Sequence, residues 1–88
     1  MLEKEFIIKN RLGLHARAAA QLVQTASRFK ADILVRKDDL EVNGKSIMGI
    51  LMLAAPKGSQ IILAVRGGDQ EEALEALGKL IDDGFGED

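Results

Sequence analysis

The sequence contains no cysteine, tryptophan or tyrosine, and only three phenylalanines and one proline. Without cysteine there is no disulfide, no thiolate metal site and no cysteine nucleophile, a usage that fits the cytosol. With Phe as the only aromatic, the core must be aliphatic, and base-stacking platforms for a single strand are too few. Neither charge sign dominates: 12 Lys plus Arg stand against 14 Asp plus Glu, a net charge of −2. A near-neutral, slightly acidic chain lacks the basic footprint of a nucleic-acid binder. The run from Ile50 to Ala55 is far short of a membrane span. The opening MLEKEFIIK interleaves charges with apolar residues and does not read as a signal peptide.

What is present describes a folded protein. At 88 residues, with 47% hydrophobic and 30% charged side chains, a single domain spanning 1–88 is expected, and disorder is not. No linker, repeat or low-complexity tract interrupts it. Residues 3–9 alternate, Phe6 and Ile8 against Glu5, Ile7 and Lys9, which is the period of a half-buried strand. Gly13 punctuates the loop before His15. Ala19, Leu22, Val23, Ala26 and Phe29 then fall at helical spacing, predicting an amphipathic helix over 16–28. A strand over 32–37, a turn at Asp38-Asp39 and a short returning strand, Leu40–Val42, follow, and Asn43-Gly44 ends the last. Ser46 stands as an N-cap before a second helix, Ile47 to Leu53, which Pro56-Lys57-Gly58 closes. Residues 60–66 form a fourth strand. Asp69 with Glu72 reads as a capping box, and Ala73, Leu74, Leu77, Leu80 and Ile81 are the stripe of a third helix stopped by Gly84. The order β-α-β-β-α-β-α implies an α+β domain, a small sheet with helices on one face. Periodicity does not supply the strand order.

The only histidine lies in NRLGLHARAAAQLV. If the helix begins at Ala16, His15 sits at its N-cap, where the first backbone N–H groups lack internal partners and, with the helix dipole, suit an anion. The same positive end disfavours imidazolium, and neutral imidazole is the nucleophilic form. Arg17 adds a guanidinium suited to phosphate oxygens. A phosphoryl group on His15 would find its stabilisers in place. A histidine beside an arginine also serves as a plain cap, and short motifs match by chance. A lone histidine without cysteine or an acidic cluster makes no closed metal site, and no Ser or Asp stands in a recognisable triad arrangement around it.

The second segment is VNGKSIMGILMLAA. Residues 47–55 carry no charged or polar side chain, so their helix is buried all round or offers one face to a partner. Ile50 and Leu53 would serve the core, leaving Ile47, Met48 and Leu51 partly exposed as a Met-containing docking face. The alternative is that all of them are core. Ser46 is first a cap. A phosphate there would be tolerated by the helix N-terminus and would oppose an acidic partner.

Together these segments resemble the HPr family, the histidine phosphocarrier proteins of phosphoenolpyruvate-dependent phosphotransferase systems. The resemblance spans essentially the whole chain: its length, its element order, GLHAR at 13–17 and NGKSIMGILML at 43–53. It implies an open-faced β-sandwich, four antiparallel strands with three helices on one face, in a cytoplasmic monomer without a cofactor. It implies that His15 takes a phosphoryl group on Nδ1 from enzyme I, or its nitrogen paralogue, and passes it to an EIIA-type protein, with Arg17 assisting. Ala16, Ala20, Ile47, Met48 and Leu51 would form the docking face, and Ser46 matches the serine modified by HPr kinase/phosphorylase. The chain departs from the family's usual HARP at Ala18. Alanine should preserve the helix while loosening its entrance, since proline fixes φ in a first turn. NGKSIMG looks like the carbon-regulation type, and LMLAAPKGSQI with GFGED like the nitrogen-related paralogue.

Two other readings compete. One is a regulatory binding module switched at Ser46, with His15 unused; the presence of both His15 and Arg17 speaks against it. The other is an unrelated ligand-binding domain using Arg66-Gly67-Gly68-Asp69 as an anion loop, which reads more simply as a strand-to-helix turn.

Overall fold

Alternation in the first strand, β1 (Leu2–Ile7), turns Phe6 inward, and Ile8 just beyond it is also buried, while Ile7 stays exposed. The computed structural model describes residues 1–87. After β1 come α1 (Ala16–Ala26), β2 (Asp32–Lys37), β3 (Leu40–Asn43), α2 (Ile47–Met52), β4 (Gln60–Arg66) and α3 (Gln70–Asp82), then a short 3₁₀ turn, Gly84–Gly86. The four strands make one sheet in the order β1-β4-β2-β3, with antiparallel neighbours throughout. Ile33, Val35, Ile61, Leu63 and Val65 face the helices and are fully or almost fully buried. Ala19, Leu22 and Ala26 of α1, Ile50 of α2, and Ala73, Leu77 and Ile81 of α3 close the core from the other side. The α+β, open-faced arrangement is the expected one. No helix among the described residues is long and apolar enough to cross a membrane.

Both early helices are shorter than their periodicity implies. α1 stops at Ala26 because Arg28 and Phe29 bond back to Thr25 and Ala26, three residues away. Such bonds tighten a last turn, and they redirect the chain toward β2. α2 ends at Met52, and Ala54 takes a left-handed φ of 49° as the chain leaves it.

The capping box at the start of α3 does not form. Asp69 is the N-cap residue, but its side chain makes no capping bond. Its two carboxylate oxygens instead accept from the backbone N–H groups of Lys30 and Ala31, each at 2.9 Å, across 39 and 38 residues. Gln70 accepts from the Gly67 N–H at 3.2 Å and closes the turn locally. A carboxylate that accepts two backbone donors is better satisfied than one sharing a helix end with its own dipole. The anion-loop alternative loses its appeal for the same reason, since the loop already presents a carboxylate.

The loop from Asn10 to Leu14 sets the place of α1. Gly13 has φ of 70°, and a Cβ there would lie 2.5 Å from the Ala55 carbonyl oxygen. The Leu14 N–H donates to that same carbonyl at 2.9 Å, and the Gly13 N–H donates to Asn10 O at 3.1 Å. Only glycine adopts this φ at so close an approach without strain. The entrance of α1 is thereby pressed against the segment that follows α2.

The Lys30 N–H bond above all holds the Asp69 carboxyl below its ordinary value. A lowered folded-state value means the contact stabilises the fold fully above the ordinary Asp range and fades as acidification passes through the lowered value. Asp69→Ala should therefore lower the thermal midpoint at pH 7, and the gap from wild type should shrink as pH falls below about 4. A gap that is flat from pH 7 to pH 2 would contradict the assignment.

Candidate functional site

His15 is the N-cap of α1, with φ −73° and ψ 178°. Its Nδ1 accepts from the backbone N–H of Arg17 at 3.3 Å. Its Nε2 lies 2.6 Å from Oε2 of Glu87, 72 residues away. A carboxylate only accepts, so the ring hydrogen belongs on Nε2, and Nδ1 keeps its lone pair. In this tautomer Nδ1 is the ring nitrogen whose lone pair could act as a nucleophile.

Glu87 is held in turn by Asn10, whose Nδ2 donates to Glu87 Oε1 at 3.0 Å and to the Gly13 carbonyl at 2.7 Å. Asn10 is only 1% exposed, and its Oδ1 has no protein partner. The Asn10 bond is the main cause that holds the Glu87 carboxyl below its ordinary value. Partial desolvation opposes it, while the His15 hydrogen bond and the Arg17 guanidinium act with it. The tail is anchored by Phe85, 3% exposed and left-handed at φ 57°, and by the bonds Gly86 N–H to Asp83 O and Glu87 N–H to Gly84 O. An open cleft of about 370 Å³ lies beside the histidine, lined by Arg11, Leu12, Arg17, Phe85 and Glu87. Two guanidinium side chains thus line the cleft together with the His15 ring.

The other sequence-derived residues fall as follows. Arg17 is exposed and lines the cleft. Ala18 is fully buried in α1, which starts at Ala16 without a proline. Ser46 caps α2, its Oγ accepting from the Gly49 N–H at 3.1 Å. Ile50 and Leu53 are buried, whereas Ile47 is 44% and Met48 70% exposed, and Leu51 is half-buried. The reading of this helix as core on every side is therefore excluded. Ala16 is exposed and Ala20 half-buried, and α1 packs beside α2. Ile47, Met48 and Leu51 do not line the histidine cleft itself. Leu12 and Met52, at 62% and 64% exposed, are two further exposed apolar side chains not picked from sequence, Leu12 lining the histidine cleft.

Sequence reasoning missed Asn10, Arg11 and Glu87. GFGED carried a faint signal: an aromatic between two glycines directly after a helix stop is a candidate for docking back onto the domain. No spacing rule connects it to His15.

A family model described as "PTS HPr component phosphorylation site" matches residues 2–83. Fold and histidine together define the histidine-phosphocarrier class, proteins that are carriers and not enzymes. A phosphocarrier protein HPr of Neisseria meningitidis is 54% identical over 87 residues, covering 99% of this chain and 98% of the relative. The crystal structure of an HPr from Thermoanaerobacter tengcongensis superposes with a TM-score of 0.96 at 51% identity, covering 100% of this chain and 99% of that one. A structure of an HPr dimer from the same organism matches at TM-score 0.80 and 52% identity, covering 99% and 100%. The chain belongs to the HPr family, the phosphocarrier proteins of the phosphotransferase system.

The two faces of α2 make opposite demands. Met48→Glu should leave the unfolding free energy within about 0.5 kcal/mol, as for exposed positions. Ile50→Ala should cost about 2–5 kcal/mol through the cavity it leaves. Urea unfolding of both variants measures this, and a large loss for Met48→Glu would place that side chain in the core.

Proposed function

We propose that His15 accepts a phosphoryl group on Nδ1 from phosphorylated enzyme I, or from its nitrogen-branch paralogue, and hands it to a histidine of an EIIA-type protein. The protein works as a cytoplasmic monomer in this relay. The observation that carries the reading is the orientation of the His15 ring: Nδ1 turned to the Arg17 N–H at the entrance of α1, Nε2 held against Glu87. The contact from the Arg17 N–H to Nδ1 is at the long end of hydrogen bonding, at 3.3 Å. When Nδ1 bonds to phosphorus that N–H is released, and it then faces phosphoryl oxygens at a helix N-terminus. The Arg17 guanidinium adds charge-assisted donors.

Specificity in this scheme resides in docking. Ile47, Met48 and Leu51, with Ala16 and Ala20, form the apolar contact for both donor and acceptor proteins. Ser46 stands at the cap of that helix, and its phosphorylation by a kinase of the HPr kinase/phosphorylase type would put a double negative charge beside the apolar face. The cap oxygen would remain an acceptor for the helix N–H groups, so the modification would change docking and leave the fold in place.

Incubation with phosphoenolpyruvate and a cognate enzyme I should add a single acid-labile phosphate, read by intact mass, and His15→Ala should abolish it. No phosphate from an active donor would shift the assignment to a regulatory module in which His15 is unused. In the same assay Ser46→Asp should fold normally and accept phosphate more slowly; equal initial rates would remove the case for a switch at this serine.

A further inference from the structure

We propose that Glu87, held by Asn10, is a positioning residue for phosphoryl transfer: it fixes the His15 ring and stabilises the charge that appears on it as Nδ1 bonds to phosphorus. The proposal rests on His15 being the acceptor and adds a residue outside the helix entrance. The arrangement is a chain of three side chains. The Asn10 amide is buried and committed to Gly13 O and Glu87 Oε1, so one carboxylate oxygen is fixed against the loop that carries His15. The other oxygen meets Nε2 at 2.6 Å, with the His15 and Glu87 side chains 27% and 18% exposed. Phe85 and the short turn around it seat the carboxylate, so the contact does not depend on a free-swinging tail.

The electron count explains why a carboxylate helps there. The Nδ1 lone pair forms the new N–P bond as the bond between phosphorus and the donor's phosphoryl-bearing atom breaks, and that bond's electron pair stays on the donor. His15 loses electron density and its ring becomes cationic, with the positive charge shared onto Nε2–H. No proton has to move: the one on Nε2 stays, hydrogen-bonded to Glu87. A fixed acceptor at this edge strengthens as the ring charges, which is preorganised stabilisation of developing charge. The carboxylate does not repel the incoming group strongly, because Nε2 and Nδ1 point in different directions from the ring. Arg17 and Arg11 border the cleft beside it. These two cations and Glu87 are the charged groups that line the cleft with the ring.

The single histidine makes the test clean. In wild type the Nε2–H proton should give a downfield NMR resonance protected from exchange, and Glu87→Ala should lose it. With phosphoenolpyruvate and enzyme I, Glu87→Ala should show about a tenfold lower rate at saturating donor, with KM for the donor unchanged. That is the effect of about one hydrogen bond to a charging group. Glu87→Gln, of the same shape without the charge, should also be slow and guards against a folding defect in the first variant. Wild-type rates in both variants would overturn the proposal, as would a Nε2–H resonance that survives Glu87→Ala. A rise in KM alone would make Glu87 a docking residue and overturn it too. Failure of the underlying reading looks different: wild type itself would then take no phosphate, or His15→Ala would still take it.

Discussion

Asn10 is the buried polar side chain on which the site depends. It ends the first strand's run into the core, and its amide reaches both the carbonyl of Gly13 and the carboxylate of Glu87. Burying an amide is unfavourable unless its donors are paired, and here pairing them brings three segments together: the exit of β1, the loop into α1 and the turn after α3. His15 inherits its place from that junction. The glycine at 13 can approach Ala55 closely, the helix can start at Ala16, and the ring is left with one nitrogen bound and one available.

The sheet beneath explains why the junction can exist. β1 and β4 are neighbours, with Phe6 opposite Ile61 and Ile7 opposite Gln60. The Ile8 N–H then donates to Ser59 O, and the Ile8 carbonyl accepts from Gly58. The chain leaving β1 is thus tied to the chain entering β4, close to the segment that follows α2. α3 lies so near β1 that a Cβ at Gly78 would come within 2.8 Å of the Phe6 ring. That approach brings the end of α3 alongside the loop at residue 10. The open cleft beside the histidine sits on this junction of sheet, loop and helix end.

Local pattern was readable, and long-range pairing was not. The alternation of Phe6 and Ile8, the stripe Ala19, Leu22, Ala26, and the capping serine at 46 follow from periods and caps that act within a few residues. The capping box at Asp69 failed on the same logic, because a short acidic side chain satisfies whichever free donors come nearest, and those belonged to Lys30 and Ala31. Glu87 was invisible for a related reason: its meaning lies in a partner 72 residues earlier. The family resemblance pointed to His15, Arg17 and the α2 face, and the structure sets each at an accessible position. It also separates them, since Ile47, Met48 and Leu51 stay outside the cleft that Arg11, Arg17 and Glu87 share with the histidine.

The pairing of β1 with β4 has a consequence for biosynthesis. A nascent chain displays its histidine early, but the strand that anchors the preceding segment must wait for residues 60–66. The carboxylate that binds the ring arrives later still. Non-local pairings of this kind form only after the intervening chain is available and its loop entropy is met. The ring of His15 therefore acquires its full set of partners only after translation has passed residue 87, and a chain still short of that point would carry the histidine without them.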